Sequence, residues 1–211
     1  MTIRSTNAAE PAVIQWKGES LPTGIFKKSR PEGIYLSPEG VRGDTIGNPK
    51  VHGDALKAAY LFASGEYPYW KSLYPSLDWE MGMFGENLTV EGLDEGGLVM
   101  GSTYRIGEAL VRITTPREPC YKLGIRFQDQ DIIEKFVDRE RPGTYVSVLE
   151  AGPIKPGDPM QLVETGEHPL SIRDYYRMWY ARDKDPGALS LALKMAWLPA
   201  STRQQLQKWQ A

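Results

Sequence analysis

The segment TTPREPCYKLG, residues 114–124, carries the only cysteine of the chain, Cys120. Arg117 and Lys122 flank it, and a nearby cation favours the thiolate over the thiol. Pro116 and Pro119 stiffen the backbone that leads into it, which helps if the sulfur must be held in place. A thiolate is both a nucleophile and a soft metal ligand. The commonest fate of an unpaired cysteine is burial as a small apolar side chain, so the residue type alone leaves three roles open.

Three further stretches could do chemistry. The chain has two histidines, His52 and His168, and His52 sits beside Gly53 between Lys50 and Lys57, a setting that could take a phosphate-like group. In MFGENLTVEG, residues 83–92, Gly85 allows a tight turn, Asn87 offers two donors and two lone pairs to the edge of a heterocycle, and Glu86 could accept from the same ring. Lys27, Lys28 and Arg30 form a short basic cluster suited to a small anion. Each has a plain alternative: a solvated face, or a turn that merely leads into a strand. Cys120 with His52 or His168 as base also fits a Cys–His hydrolase or transferase.

The elements that must position these residues are mostly short strands. Residues 12–18 read as a strand ending at Gly18, and 86–93 alternates apolar and polar residues as a half-buried strand does. Residues 102–116 hold two strands around Gly107-Glu108, and Pro116 ends the second because it has no N–H to donate. Cys120 is therefore expected in a loop just past a strand end. Residues 143–152 and 158–166 read as two more strands. Residues 55–62 are ambiguous between helix and strand, and Ser64 is a candidate N-cap for a helix reaching Leu73. An apolar stripe of Ile132, Ile133, Phe136 and Val137 predicts an amphipathic helix. After residue 166 three helices are expected, with Ser171, Asp185 and Ser201 as caps.

Composition bounds the remaining choices. The chain has 211 residues, 41% hydrophobic and 25% charged, with a formal net charge of −2. That is enough for one sizeable core, and it supplies no basic field to hold nucleic acid by its phosphates. No apolar run approaches the roughly 20 residues of a membrane-spanning helix. The first residues lack a secretory apolar core, and one cysteine cannot form an internal disulfide, so a cytoplasmic protein is expected. The domain reading is a flexible leader over 1–12, a mainly β (α+β) barrel domain over 13–165 and a three-helix appendage over 166–211.

Taken in order and spacing, VHGDALKAA, FGENLTVEGL and GSTYRIGEALVRITTPREPCYKL resemble the MOSC-domain proteins, relatives of the C-terminal domain of molybdenum-cofactor sulfurase. Within that family the chain is similar to the YiiM-like subfamily, which confers resistance to 6-N-hydroxylaminopurine and carries an extra C-terminal three-helix domain. The resemblance implies a MOSC β-barrel and a molybdenum cofactor, molybdopterin with its metal, ligated by Cys120. It places Asn87, Gly85 and Glu86 at the pterin. It places His52, Lys57 and Arg117 along the site or at the cofactor phosphate, with Lys27 or Lys28 reaching the phosphate from the early loop and Ser64 in a phosphate-side loop. Cys120 and His52 become the catalytic pair. One departure is Asp54, where many members carry a second glycine after the His-Gly pair. The implied activity is reduction of N-hydroxylated compounds (hydroxylated nucleobases, amidoximes) to the amines. Electrons would come from a separate reductase, because no flavin or haem motif is present, and a homodimer is compatible with the sequence. A non-catalytic carrier of the cofactor or of sulfur is the alternative.

Overall fold

The computed structural model describes residues 1–45 and 55–210. Seven strands open the chain: β1 (Thr2–Ala8), β2 (Ala12–Trp16), β3 (Glu19–Thr23), β4 (Lys28–Ser29), β5 (Ile34–Ser37), β6 (Gly40–Val41) and β7 (Ala59–Ala63). Helix α1 (Tyr67–Leu73) leads to β8 (Leu88–Glu91), β9 (Thr103–Ile106) and β10 (Ala109–Pro116). Helices α2 (Tyr121–Phe127) and α3 (Ile132–Arg139) precede β11 (Thr144–Glu150), β12 (Gly152–Ile154) and β13 (Met160–Glu164). The chain ends in α4 (Ile172–Tyr180), α5 (Pro186–Lys194) and α6 (Ala200–Gln210).

Eight strands form one sheet in the order β13-β9-β10-β11-β7-β8-β1-β4. Its pairs are antiparallel except β7 with β8, which are parallel and joined through α1. The expected closed barrel is therefore corrected to a large mixed sheet in an α+β fold. The start of β1 meets the segment leading into β13 at the isolated bridge Thr2–Pro159, where Ile3 N donates to Asp158 O at 2.9 Å, Gly157 N to Ile3 O at 2.8 Å and Met160 N to Met1 O at 2.9 Å. Among the described residues no continuous ladder closes the sheet.

Strand β7 explains why its sequence was ambiguous. All five of its residues are buried. Tyr60 and Phe62 face an aromatic cluster with Trp70, Phe84, Phe127 and Phe136, while Ala59, Leu61 and Ala63 face the apolar interior on the other side. A strand covered on both faces shows no polar alternation, so its pattern cannot be told from a buried helix.

The flexible leader is also corrected. Residues Thr2–Ala8 pair with β8 and β4, and Thr6 and Asn7 are fully buried. Their polarity hid the strand, yet each polar group is matched: Thr6 Oγ1 donates to Arg30 O at 2.5 Å, and Asn7 Nδ2 donates to Thr89 Oγ1 at 3.1 Å.

At the other end the caps differ in outcome. Ser171 Oγ accepts from Asp174 N at 3.0 Å, and Asp185 Oδ1 accepts from Ala188 N at 2.6 Å. Helix α6 begins at Ala200, so Ser201 lies inside its first turn and is not the cap. Leu170, Ile172, Met178, Leu189 and Leu206 belong to the same apolar cluster as Val111, Ile113 and Val146 of the sheet. The helices share that core with the strands.

Candidate functional site

The strand-to-loop transition at Pro116 sets the geometry around the thiol. Strand β10 pairs with β11 as far as Pro116 opposite Thr144, and the missing proline N–H ends the ladder there. Four residues later Cys120 adopts an extended backbone as the N-cap of α2. No local pattern marks the helix directly after the cysteine; its ring at Tyr121 stacks on Trp16 of the β2–β3 hairpin at 4.9 Å. Cys120 is half-buried and free.

Cys120 lines a cleft that opens to solvent. Lys27, Lys57, Gly85, Asn87, Arg117 and Cys120, read from stretches up to 93 positions apart, all line it. Lys122 joins them, so four basic side chains face two acidic ones, Asp44 and Glu118. Two of the expected site residues are elsewhere. Glu86 is fully buried beneath the cleft, and Ser64 sits in a 3-10 turn that does not line it. Ser64 also fails as an N-cap: the residue before α1 is Glu66, and it makes no side-chain cap bond. His52 and Asp54 lie outside the described residues.

Glu86 is a structural clamp. One carboxyl oxygen accepts from Gly82 N at 3.0 Å, from Thr89 Oγ1 at 2.8 Å and from Tyr67 Oη, and the other accepts from Phe84 N at 3.1 Å. Burial first, and Glu86 second, push the Tyr67 phenol far above its ordinary value, so it stays a donor. This clamp shapes the turn at Gly85, whose φ of +79° suits glycine and whose added Cβ would press on Ile25 Cγ1 at 3.2 Å.

Asn87 next door is equally occupied. Its Oδ1 accepts from Tyr60 N at 3.2 Å, and its Nδ2 donates to Asn7 O at 3.3 Å and to Asp44 Oδ2 at 2.8 Å. Asp44 had no sequence signal, because its partners are distant in the chain. Its Oδ1 accepts from Ala9 N at 2.7 Å and its Oδ2 accepts from Lys27 Nζ at 2.5 Å. Burial pulls the Lys27 ammonium below its ordinary value, and Asp44 opposes that by pairing with it.

Arg117 behaves differently. It is buried, and its Nη1 has no hydrogen-bond partner. The guanidinium lies 5.2 Å from the ring centroid of Tyr60 and 5.6 Å from that of Phe136. Burial works against its charge, but Tyr60, Tyr145 and Cys120 outweigh that and hold it above its ordinary value. No ion pair with a carboxylate is present for Arg117 among the described residues. A buried cation with an open donor can hold an anion, and a free thiolate can bind a soft metal.

Residues 48–161 match the MOSC domain. The chain belongs to that family. It is 31% identical to the uncharacterized protein YflK of Bacillus subtilis over 98% of this chain and 93% of that one. It is 34% identical to protein YiiM of Escherichia coli over 71% of this chain and 68% of that one. The crystal structure of YiiM from Geobacillus stearothermophilus superposes with a TM-score of 0.80 at 29% identity, covering 100% of this chain and 99% of that chain. A longer protein of Gibberella moniliformis named "Reductase" is 27% identical over 79% of this chain, which spans 30% of its length. The match to the MOSC domain agrees with the expected family, and the superposition agrees with its YiiM-like subgroup. No helix among the described residues is long and apolar enough to cross a membrane.

Proposed function

We propose that this MOSC-domain chain binds a molybdenum cofactor through Cys120 and reduces N-hydroxylated compounds to amines. The observation that carries the reading is the unpartnered Nη1 of buried Arg117 in the same cleft as the free, half-buried thiol of Cys120. The donor set fits the group: one soft sulfur for the metal, and cations for a phosphate. The relative named "Reductase" supports a redox role.

When bound, the cofactor supplies the two electrons that protein side chains do not. The balance is R–NH–OH + 2 e⁻ + 2 H⁺ → R–NH₂ + H₂O, with a separate reductase as electron donor. The chain's own residues hold and orient. Cys120 anchors the metal at the start of α2, where Pro116 and Pro119 restrict the backbone. Arg117 donates to the anionic end, with Lys57 and Lys122 adding positive charge at the rim. Asn87 acts one step back: it fixes Asp44, and Asp44 fixes Lys27. Glu86 and Ser64 are left out of the binding set.

The test is elemental analysis of protein made in cells that synthesise the cofactor, followed by turnover of an N-hydroxylated amine with an artificial reductant. About one molybdenum per chain, lost in Cys120→Ser together with activity, is expected. Metal without turnover points to a carrier instead, and turnover without metal rejects the reading.

A further inference from the structure

Strands β2 and β3 form a hairpin that stands apart from the rest of the fold. They pair with each other, from Ala12 opposite Thr23 to Trp16 opposite Glu19. Among the described residues no backbone hydrogen bond ties residues 12–23 to either of the other two sheets. The hairpin itself is stiff. Lys17 and Gly18 turn it with φ of +50° and +83°, as a type I′ turn requires at both central residues, and Gln15 Nε2 donates across it to Ser20 Oγ at 2.7 Å. Its two feet are fixed. Ala9 N donates to Asp44 Oδ1 at 2.7 Å and Thr45 N donates to Ala9 O at 3.1 Å, while Gly24 lies so close to Thr45 that an added Cβ would collide with the Thr45 carbonyl oxygen. Between the feet one face turns inward: Ile14 is 6% exposed and Val13 67%. Ile14 belongs to neither of the described apolar cores. Trp16, on the same face as Ile14, stacks on Tyr121 at 4.9 Å with planes 20° apart, and Lys122 Nζ donates to Pro22 O at 3.1 Å. Tyr121 and Lys122 directly follow Cys120, and Thr23 and Gly24, at the base of the hairpin, line its cleft.

A segment outside the sheet ladder, resting on the body through a ring stack and an exposed hydrogen bond, belongs to the low-cost end of local opening. We propose that the β2–β3 hairpin is a flap at the mouth of the Cys120 cleft, latched by Trp16 on Tyr121, and that its opening gates the thiol to bulky ligands. The flap swings as a unit about Ala9 and Gly24, because its own turn and cross-strand bonds stay intact while the latch lets go. Small molecules reach the half-buried sulfur past the closed flap, since the cleft opens to solvent. A bulky one needs the edge formed by Thr23 and Gly24 to move aside. One aromatic stack suits such a latch: it is enough to favour the closed form and too little to hold it permanently. The passage of a group as large as a pterin beneath the flap rests on the reductase reading; the motion itself does not.

The experiment alkylates Cys120, the single cysteine, in cofactor-free full-length protein. A small reagent, iodoacetamide, is compared with a bulky one, fluorescein maleimide, each rate divided by that for free N-acetylcysteine. In the wild type the bulky reagent should be the more strongly retarded. Trp16→Ala should speed the bulky reagent about 10-fold, as loss of the stack requires, and change the small reagent less than about 2-fold. Trp16→Phe keeps a ring on Tyr121 and should stay within about 2-fold of the wild type for both. The melting temperature of Trp16→Ala should lie within about 2 °C of the wild type, because the hairpin lies outside the apolar cores. Equal retardation of the two reagents in the wild type overturns the flap. So does a bulky-reagent rate that Trp16→Ala leaves unaltered, an equal acceleration of both reagents, or a large fall in melting temperature, since the last two mark general loosening. No arm needs a metal: protein from cofactor-synthesising cells that held no molybdenum would reject the reductase reading and leave the flap standing.

Discussion

Two turns meet at the cleft, and they treat their polar atoms in opposite ways. In the turn from Gly82 to Asn87 the side chains of Glu86 and Asn87 are filled from all sides, by Gly82, Phe84, Thr89, Tyr67, Tyr60, Asn7 and Asp44. In the run from Arg117 to Cys120 the guanidinium keeps an open donor and the sulfur stays free. Both turns carry the residue types expected of a binding site. Only the second has bonding capacity left over for a ligand. A buried polar group with every bond made holds the fold together; one with a bond outstanding is available for function.

That contrast can be broken experimentally. The largest effect is expected from Cys120→Ser, which should reduce bound molybdenum and reductase turnover to background while the melting temperature stays within about 2 °C, because a half-exposed thiol contributes little packing. Metal content and thermal unfolding, measured on one preparation, decide it. Glu86→Ala should do the reverse. It strands several buried donors and should cost about 3–5 kcal/mol, or roughly 10 °C in melting temperature for a chain of this size. Metal uptake by the remaining folded protein should be retained. If Glu86→Ala lost the cofactor without losing stability, the clamp would be a ligand after all.

Arg117→Met comes next. Replacing a buried cation by an apolar side chain of similar length should leave stability unchanged or raise it, while cofactor retention falls about 10- to 100-fold, the worth of a charge-assisted bond. Retention is read by the metal remaining after dialysis. The smallest effect belongs to a pair remote from both turns. Lys135 and Tyr74 donate to Asp129 and hold its carboxyl at about 2, below its ordinary 3.8. A depressed carboxyl stabilises the fold above its unfolded value, and that contribution is lost as pH falls from near 4 towards 2. The stability difference between wild type and Asp129→Asn should therefore vanish over that window in acid unfolding curves. A difference that persists at pH 2 would show the pair acting through packing rather than charge.

Local order was legible where one face meets water. The stripe of Ile132 and Phe136 gave α3, alternation around Val111 and Ile113 gave β10, and Ser171 and Asp185 announced their helices. Legibility failed where polarity and position disagree. Strand β1 is polar yet buried, and β7 is apolar on both faces. The site followed the same rule. Family resemblance brought Cys120, Arg117 and Asn87 to notice, but it gave Glu86 the same standing as Asn87. It gave no weight to Asp44, whose partners Lys27, Ala9 and Asn87 lie 17, 35 and 43 positions away.

The sequence by itself determined the family, the caps Ser171 and Asp185 and the stiff, cationic setting of the single thiol, because those are properties of adjacent residues. Tertiary structure alone decided which polar side chains are spent and which are free. Hydrogen-bond capacity is used up by whatever the fold brings within reach, and for Glu86, Asn87 and Arg117 that comes from distant parts of the chain. The open Nη1 of Arg117 follows from this packing; no local pattern encodes it.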